Sequence, residues 1–211
     1  IETYLKIKYD YTYVFRSVPS GWDPVDWFLF EEKKGVCTHF NTALVILARS
    51  IGIPARIVGG YLIDPESHNQ TVYAKQGHAY AEVEFEGVGW VPFDATPAGE
   101  GCRCAGRREA NQPPHTPLLE ILGVPQTSYL RVNVGELYEG GTWLLPDDKR
   151  TTSYAGEALL PDVSEYTSAL SGRIAIEPVQ TIQGFVPTIL YVTNLRYNES
   201  VIYDSTRHSF Y

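Results

Sequence analysis

The sequence predicts an α+β fold: one amphipathic helix packed on an antiparallel sheet, followed by a small β-rich domain. Three observations predict it. Apolar residues recur at three- and four-residue steps from Cys37 to Ile51, the period of a helix with one buried face. Runs with a two-residue period follow it, most plainly His78 to Phe85. From about Tyr129 onward short alternating runs continue and no helical period is found.

Taken in order, a short helix is expected over Thr3 to Lys8, then extended chain to Phe15. Turn formers fill Ser17 to Pro24, and Val25 to Phe30 is an apolar patch that packs beside the next helix. That helix presents Phe40, Ala43, Leu44, Leu47, Ala48 and Ile51 on one face. Gly35 permits a turn before it, Gly52 and Pro54 stop it, and Arg49 in its last turn faces the negative end of the dipole. Ala55 to Leu62 reads as a strand, Asp64 to Gln70 as a polar loop and Thr71 to Ala74 as a second strand.

In His78 to Phe85 the apolar face is Ala79, Ala81, Val83 and Phe85, whereas His78, Tyr80, Glu82 and Glu84 point the other way, the two glutamates on a solvated face. Trp90 to Asp94 returns as the partner strand after a glycine turn. A three-residue loop, Glu86-Gly87-Val88, sets Asp94 opposite Tyr80 on the face of His78. A two-residue loop would turn Asp94 to the other face. Chemistry selects the first register.

The loop-like stretch Ala98 to Pro117 marks a boundary, giving a core over 1–112, a linker over 113–125 and a β-rich accessory domain over 126–211. With 44% hydrophobic residues the chain can bury a real core, and its net charge of −8 argues against nucleic acid as a partner. The longest apolar stretch, Ala43 to Ala48, is far short of the roughly 20 residues that span a bilayer, so this fragment is not expected to cross one. It has no methionine and no basic start followed by an apolar run, and reads as an excised piece of a longer protein without a secretory signal. Of its three cysteines, Cys102 and Cys104 pair with each other and leave Cys37 as a thiol, or all three are reduced.

Cys37 opens the clearest helix of the chain. A thiol there meets the positive end of the dipole and unpaired amides, which favour the thiolate and can also hold an oxyanion. A thiolate nucleophile needs an imidazole to exchange protons with the leaving group, and a third group to orient that imidazole. His78 and Asp94 fill those roles in the register chosen above. His39 is set aside, because on the helix it points about 200° away from Cys37. A zinc site of Cys102, Cys104 and His115 is also set aside, since no fourth ligand has familiar spacing.

The blocks GVCTHFNTALVILARSIGIPARIVGGY and QGHAYAEVEFEGVGWVPFDATP, in this order, resemble the Cys, His and Asp blocks of the transglutaminase-like superfamily, and DPVDWFLFEEKKG resembles the approach to the nucleophile in bacterial and archaeal members. The resemblance runs from about Ile1 to Pro97. It implies a papain-like core with Cys37, His78 and Asp94 as its triad, acting on a peptide or glutamine carboxamide through a thioester, as a peptidase, an amidase or a protein transglutaminase. Its partner is then a protein or peptide substrate, and no metal or organic cofactor is demanded. Bacterial relatives usually carry an aromatic residue where Val36 stands, a glutamate at Thr38 and an alanine at Asn41. SYLRVNVGELYEGGTW resembles a β segment of membrane-anchored bacterial members, where it precedes the core, and the resemblance implies an extracytoplasmic location. The rival expectation is a catalytically silent domain that binds protein or glycan.

Overall fold

The structure is a computed structural model. It describes residues 1–97, 116–144, 174–179 and 187–190, and the backbone of 151–159, 194–204 and 209–210. The expected loop cysteines Cys102 and Cys104, with His115, lie outside the described residues.

Helix α1 spans Glu2–Lys8 and α2 spans Cys37–Ser50. Between them Asp23 caps a helical turn, Pro24–Asp26, by accepting from Val25 N–H, and the chain continues as a π-helix over Trp27–Glu32. Lys33 ends this wider turn in the left-handed region at φ 54°. The π-helix buries Phe28 and Leu29 against Phe40 and Leu44 of α2, so the apolar patch does sit beside the helix, with Phe30 left outside.

Besides the parallel two-residue strands Asp10–Tyr11 and Lys34–Gly35, the described residues form twelve strands: β1 Ala55–Leu62, β2 Asn69–Tyr73, β3 Gly77–Phe85, β4 Gly89–Phe93, β5 Pro117–Leu122 and β6 Tyr129–Gly135. There follow β7 Leu137–Glu139, β8 Thr142–Leu144, β9 Thr151–Leu159, β10 Ala175–Pro178, β11 Asn194–Asp204 and β12 Ser209–Phe210. The central sheet has the order β4-β3-β1-β6 and is antiparallel throughout. Helix α2 covers one face of it, packing Phe40, Ala43, Leu44, Val45 and Ala48 on Ala55, Ala81 and Val83. Each large apolar side chain buried there contributes about 2 kcal/mol. The small alanines on the strands let the helix approach closely.

A second sheet, β10-β5-β2, encloses Val72, Leu119 and Ile121, and Leu130 of β6 completes that cluster. The hairpin β7-β8 reaches back to α2, where Trp143 Nε1–H donates to Thr42 Oγ1 at 3.0 Å. Arg49 of α2 donates to Ala55 O and Glu136 O, both at 2.6 Å, so its charge ties the helix end to β1 and to the chain just past β6. A third sheet is β9-β11-β12.

Three features depart from the sequence reading. The segment 113–125, expected as a linker, contains β5, and Tyr129–Gly135, expected in the accessory unit, is the edge strand of the central sheet. Gly60 makes this pairing possible, because a Cβ there would lie 1.8 Å from the Leu130 carbonyl oxygen. Glu82, expected on a solvated face, is fully buried. Strand β6 brings Arg131 over it, and Nε of Arg131 and Nε of Arg56 each donate to a Glu82 oxygen at 2.8 Å. Burial pushes the Glu82 carboxyl up, but the charges of Arg131 and Arg56 outweigh it and hold the pKa below the ordinary range. The Arg56 guanidinium also lies 3.8 Å from the Trp90 ring centre. Glu84 is exposed, as expected.

Candidate active site

Cys37 is the first residue of α2. Val36 at the N-cap has no side-chain oxygen to offer the first-turn amides, unlike the usual serine or aspartate. The turn is fixed instead by His39, whose Nδ1 accepts from Val36 N–H at 3.2 Å while its ring packs on Phe15 and Phe28. A Cβ on Gly35 would come within 2.7 Å of that ring, so only glycine fits before the helix. His39 is thus engaged with the entering chain.

The Cys37 side chain is buried against Ile57 and Ala79, and Ala79 N–H donates to its Sγ at 3.4 Å. Its Sγ is disulfide-bonded. Neither arrangement expected from the sequence, a Cys102–Cys104 pair or three reduced thiols, agrees with this.

Strand β3 places His78 immediately before Ala79. Its side chain is buried, with Nε2 2.6 Å from Asp94 Oδ2. The hairpin register that brings them together has Phe85 opposite Gly89 and Ala81 opposite Phe93, the three-residue loop expected from the sequence. Asp94 lies one residue beyond β4, and four groups hold its carboxylate. His78 Nε2 and Tyr129 Oη, at 3.4 Å, meet Oδ2, while Asn41 Nδ2, at 3.0 Å, and Thr96 N, at 2.9 Å, donate to Oδ1. Burial pushes the Asp94 carboxyl up. The bond and charge of His78, with the bonds from Thr96 and Asn41, outweigh burial and hold it down to about 2.

The three residues singled out in the sequence therefore converge: His78 and Asp94 through a direct bond, Cys37 through the amide next to His78. Asn41 and Tyr129 belong to the same cluster; the sequence marked Asn41 only as a departure from the family it resembles, and Tyr129 not at all. Asn41 was visible as a polar residue on the apolar face of α2, one turn after Cys37. Tyr129 gave no signal, because its place depends on β6 joining the sheet. Its ring stacks on His78 at 6.2 Å and meets Tyr80 at 4.3 Å, tilted by 31°. Beside the start of α2 a cavity of about 340 Å³ opens between Phe15, Trp27 and Phe28, with Glu32, Thr38 and His39, and Cys37, His78 and Asp94 do not line it. Among the described residues no helix is long and apolar enough to cross a membrane.

Residues 1–95 match the transglutaminase-like superfamily. Over 81 residues the chain is 43% identical to the uncharacterized protein YebA of Bacillus subtilis (strain 168), covering 35% of this chain and 11% of that protein. Over 89 residues it is 34% identical to a protein-glutamine gamma-glutamyltransferase of Pseudomonas aeruginosa, covering 41% of this chain and 13% of the relative. The chain thus spans only a small part of the length of the curated relatives it matches. Crystal structures of the periplasmic domain of TgpA from Pseudomonas aeruginosa, one bound to ethylmercury, align with TM-scores of 0.38 and 0.37 at 27% identity, over 44% of this chain and 34% and 35% of theirs. Over residues 1–95 this chain is similar to the transglutaminase-like superfamily.

Proposed function

We propose that this chain carries a cysteine-dependent acyl-transfer enzyme with a papain-like core, in which Cys37 is the nucleophile, His78 the proton carrier and Asp94 the group that orients His78. The observation that carries this reading is the 2.6 Å contact of His78 with Asp94, one residue from the amide that donates to Cys37 Sγ. Thiol–disulfide exchange releases the nucleophile: an external thiolate bonds to the partner sulfur, the S–S bond to Cys37 breaks, and Cys37 leaves as a thiolate. The Cys37 thiolate then attacks a peptide or glutamine carboxamide carbonyl. A sulfur–carbon bond forms, the carbon–nitrogen bond breaks, and the leaving amine or ammonia takes a proton from His78. Because Nε2 faces Asp94, Nδ1 is the nitrogen assigned to this exchange. Water or a primary amine next attacks the thioester, gives its proton to His78 and frees the thiolate.

The first-turn amides of α2, where Val36 supplies no cap, are suited to hold the oxyanion of the tetrahedral intermediate. The relative named as a protein-glutamine gamma-glutamyltransferase favours a glutamine donor. The disulfide at Cys37 favours a location outside the cytoplasm, since disulfides persist in oxidising compartments. In this reading the core extends beyond residue 112, because β6 completes its central sheet.

The second reading is a silent domain that binds protein or glycan. The complete burial of Cys37 and its disulfide favour it. The test is incubation of the reduced protein with a glutamine peptide and a primary-amine probe, with Cys37→Ala as control. Ammonia release with amine incorporation identifies a transferase, and conversion of glutamine to glutamate without incorporation a hydrolase. Neither product, with ordinary alkylation of Cys37, leaves the silent domain.

A further inference from the structure

The least expected group at the site is the side-chain amide of Asn41. It is fully buried in α2, one helical turn below Cys37. Its Oδ1 accepts from Ala95 N–H at 2.8 Å, which fixes the amide orientation, because an N–H facing an N–H there would be repulsive. Nδ2 then faces four acceptors: Ala79 O at 2.8 Å, Asp94 Oδ1 at 3.0 Å, Cys37 O at 3.2 Å and Thr96 Oγ1 at 3.2 Å. Two hydrogens are shared among four oxygens belonging to the helix of Cys37, the strand of His78 and the chain that carries Asp94.

The Asp94–Thr96 segment lies beyond the end of β4 and lacks the ladder bonds that hold a strand. Asn41 holds this segment from both sides of its amide, through Ala95 N–H and through the Asp94 carboxylate. With Oδ1 engaged by Asn41 and Thr96 N, Oδ2 is the oxygen turned to His78.

We propose that Asn41 is the positioning residue of this site, holding Asp94 in the rotamer that orients His78 against Cys37. The inference rests on the enzymatic reading of the site. Asn41 touches no substrate and acts through Asp94.

The experiment is the pH dependence of iodoacetamide alkylation at Cys37 in the reduced protein, with peptide mapping, for the wild type, Asn41→Ala and Asn41→Asp. Folding of each variant is checked by circular dichroism. Asn41→Ala should slow alkylation at neutral pH about tenfold and move its midpoint up by about one unit, the effect of losing one bond to a charged group. Asn41→Asp, of the same shape, loses the donor when ionised and regains an O–H donor when protonated. Its alkylation relative to wild type should therefore recover as the pH falls, a pH signature that packing alone does not produce. A wild-type midpoint at the value of an ordinary thiol sinks the enzymatic reading. A depressed wild-type midpoint that both variants share overturns the role of Asn41 alone. Failure of both variants to fold also overturns it, by reducing Asn41 to a structural residue.

Discussion

Asp94 Oδ2 lies 2.6 Å from His78 Nε2, although Asp94 belongs to no strand and β4 ends at Phe93. The pairing is thus held by side-chain bonds on one member and by a sheet ladder on the other. Acid should find the weaker side first.

The pKa of Asp94 is lowered from 3.8 to about 2, so the folded state binds a proton there less readily than the unfolded state. Its contribution to stability is fully present above the unfolded value and is lost as the pH falls through about 2. The shift corresponds to roughly 2 kcal/mol. Urea unfolding between pH 6 and pH 2 should show wild type losing that much more than Asp94→Asn, and parallel curves would contradict the assignment.

The Glu82 network gives a sharper test of stability. Glu82→Ala leaves Arg56 and Arg131 buried against each other, and should cost about 3–5 kcal/mol in denaturant unfolding. Replacing Arg56, Glu82 and Arg131 together by methionine should cost far less, because no uncompensated charge remains. If the triple variant is as unstable as the single one, the network holds the sheet by more than charge balance.

Gly60→Ala should cost about 2 kcal/mol or more, because the new methyl group meets the backbone of β6 and cannot be relieved by a rotamer change. Gly87→Ala, where φ is +72° and nothing lies within 4 Å, should cost about 1 kcal/mol through backbone strain alone. Thermal unfolding of the two variants should therefore rank them in that order.

Thiol counting tests the state of Cys37. With three cysteines and Cys37 in a disulfide, maleimide labelling of the denatured, unreduced chain should add one label, and three after reduction. Three labels before reduction would show that the thiol form is the ground state.

Much of this was legible in the sequence. The period of Phe40, Ala43, Leu44 and Ala48 gave α2, and the requirement that a carboxylate meet His78 selected the three-residue hairpin loop found between Phe85 and Gly89. Such features are local: they depend on residues within one helix or one hairpin. Glu82 was misread because alternation alone cannot tell a wet face from one covered by a distant strand, and Arg131 is 49 residues away. Tyr129 escaped for the same reason. Asn41 was marked only as a departure from the resembled family, because its role depends on Asp94, 53 residues away.

The pairing of β1 with β6 also sets an order in time. A chain leaving the ribosome can close the β3-β4 hairpin and dock α2 on it early, since these contacts are short in sequence. Strand β1 must then wait with one edge open until Gly135 has emerged, and Tyr129 with it. Until then Gly59 and Gly60 present bare backbone to any passing strand, so a prematurely ended chain carrying the whole Cys, His and Asp set would be at its most adhesive when its machinery is nearly complete.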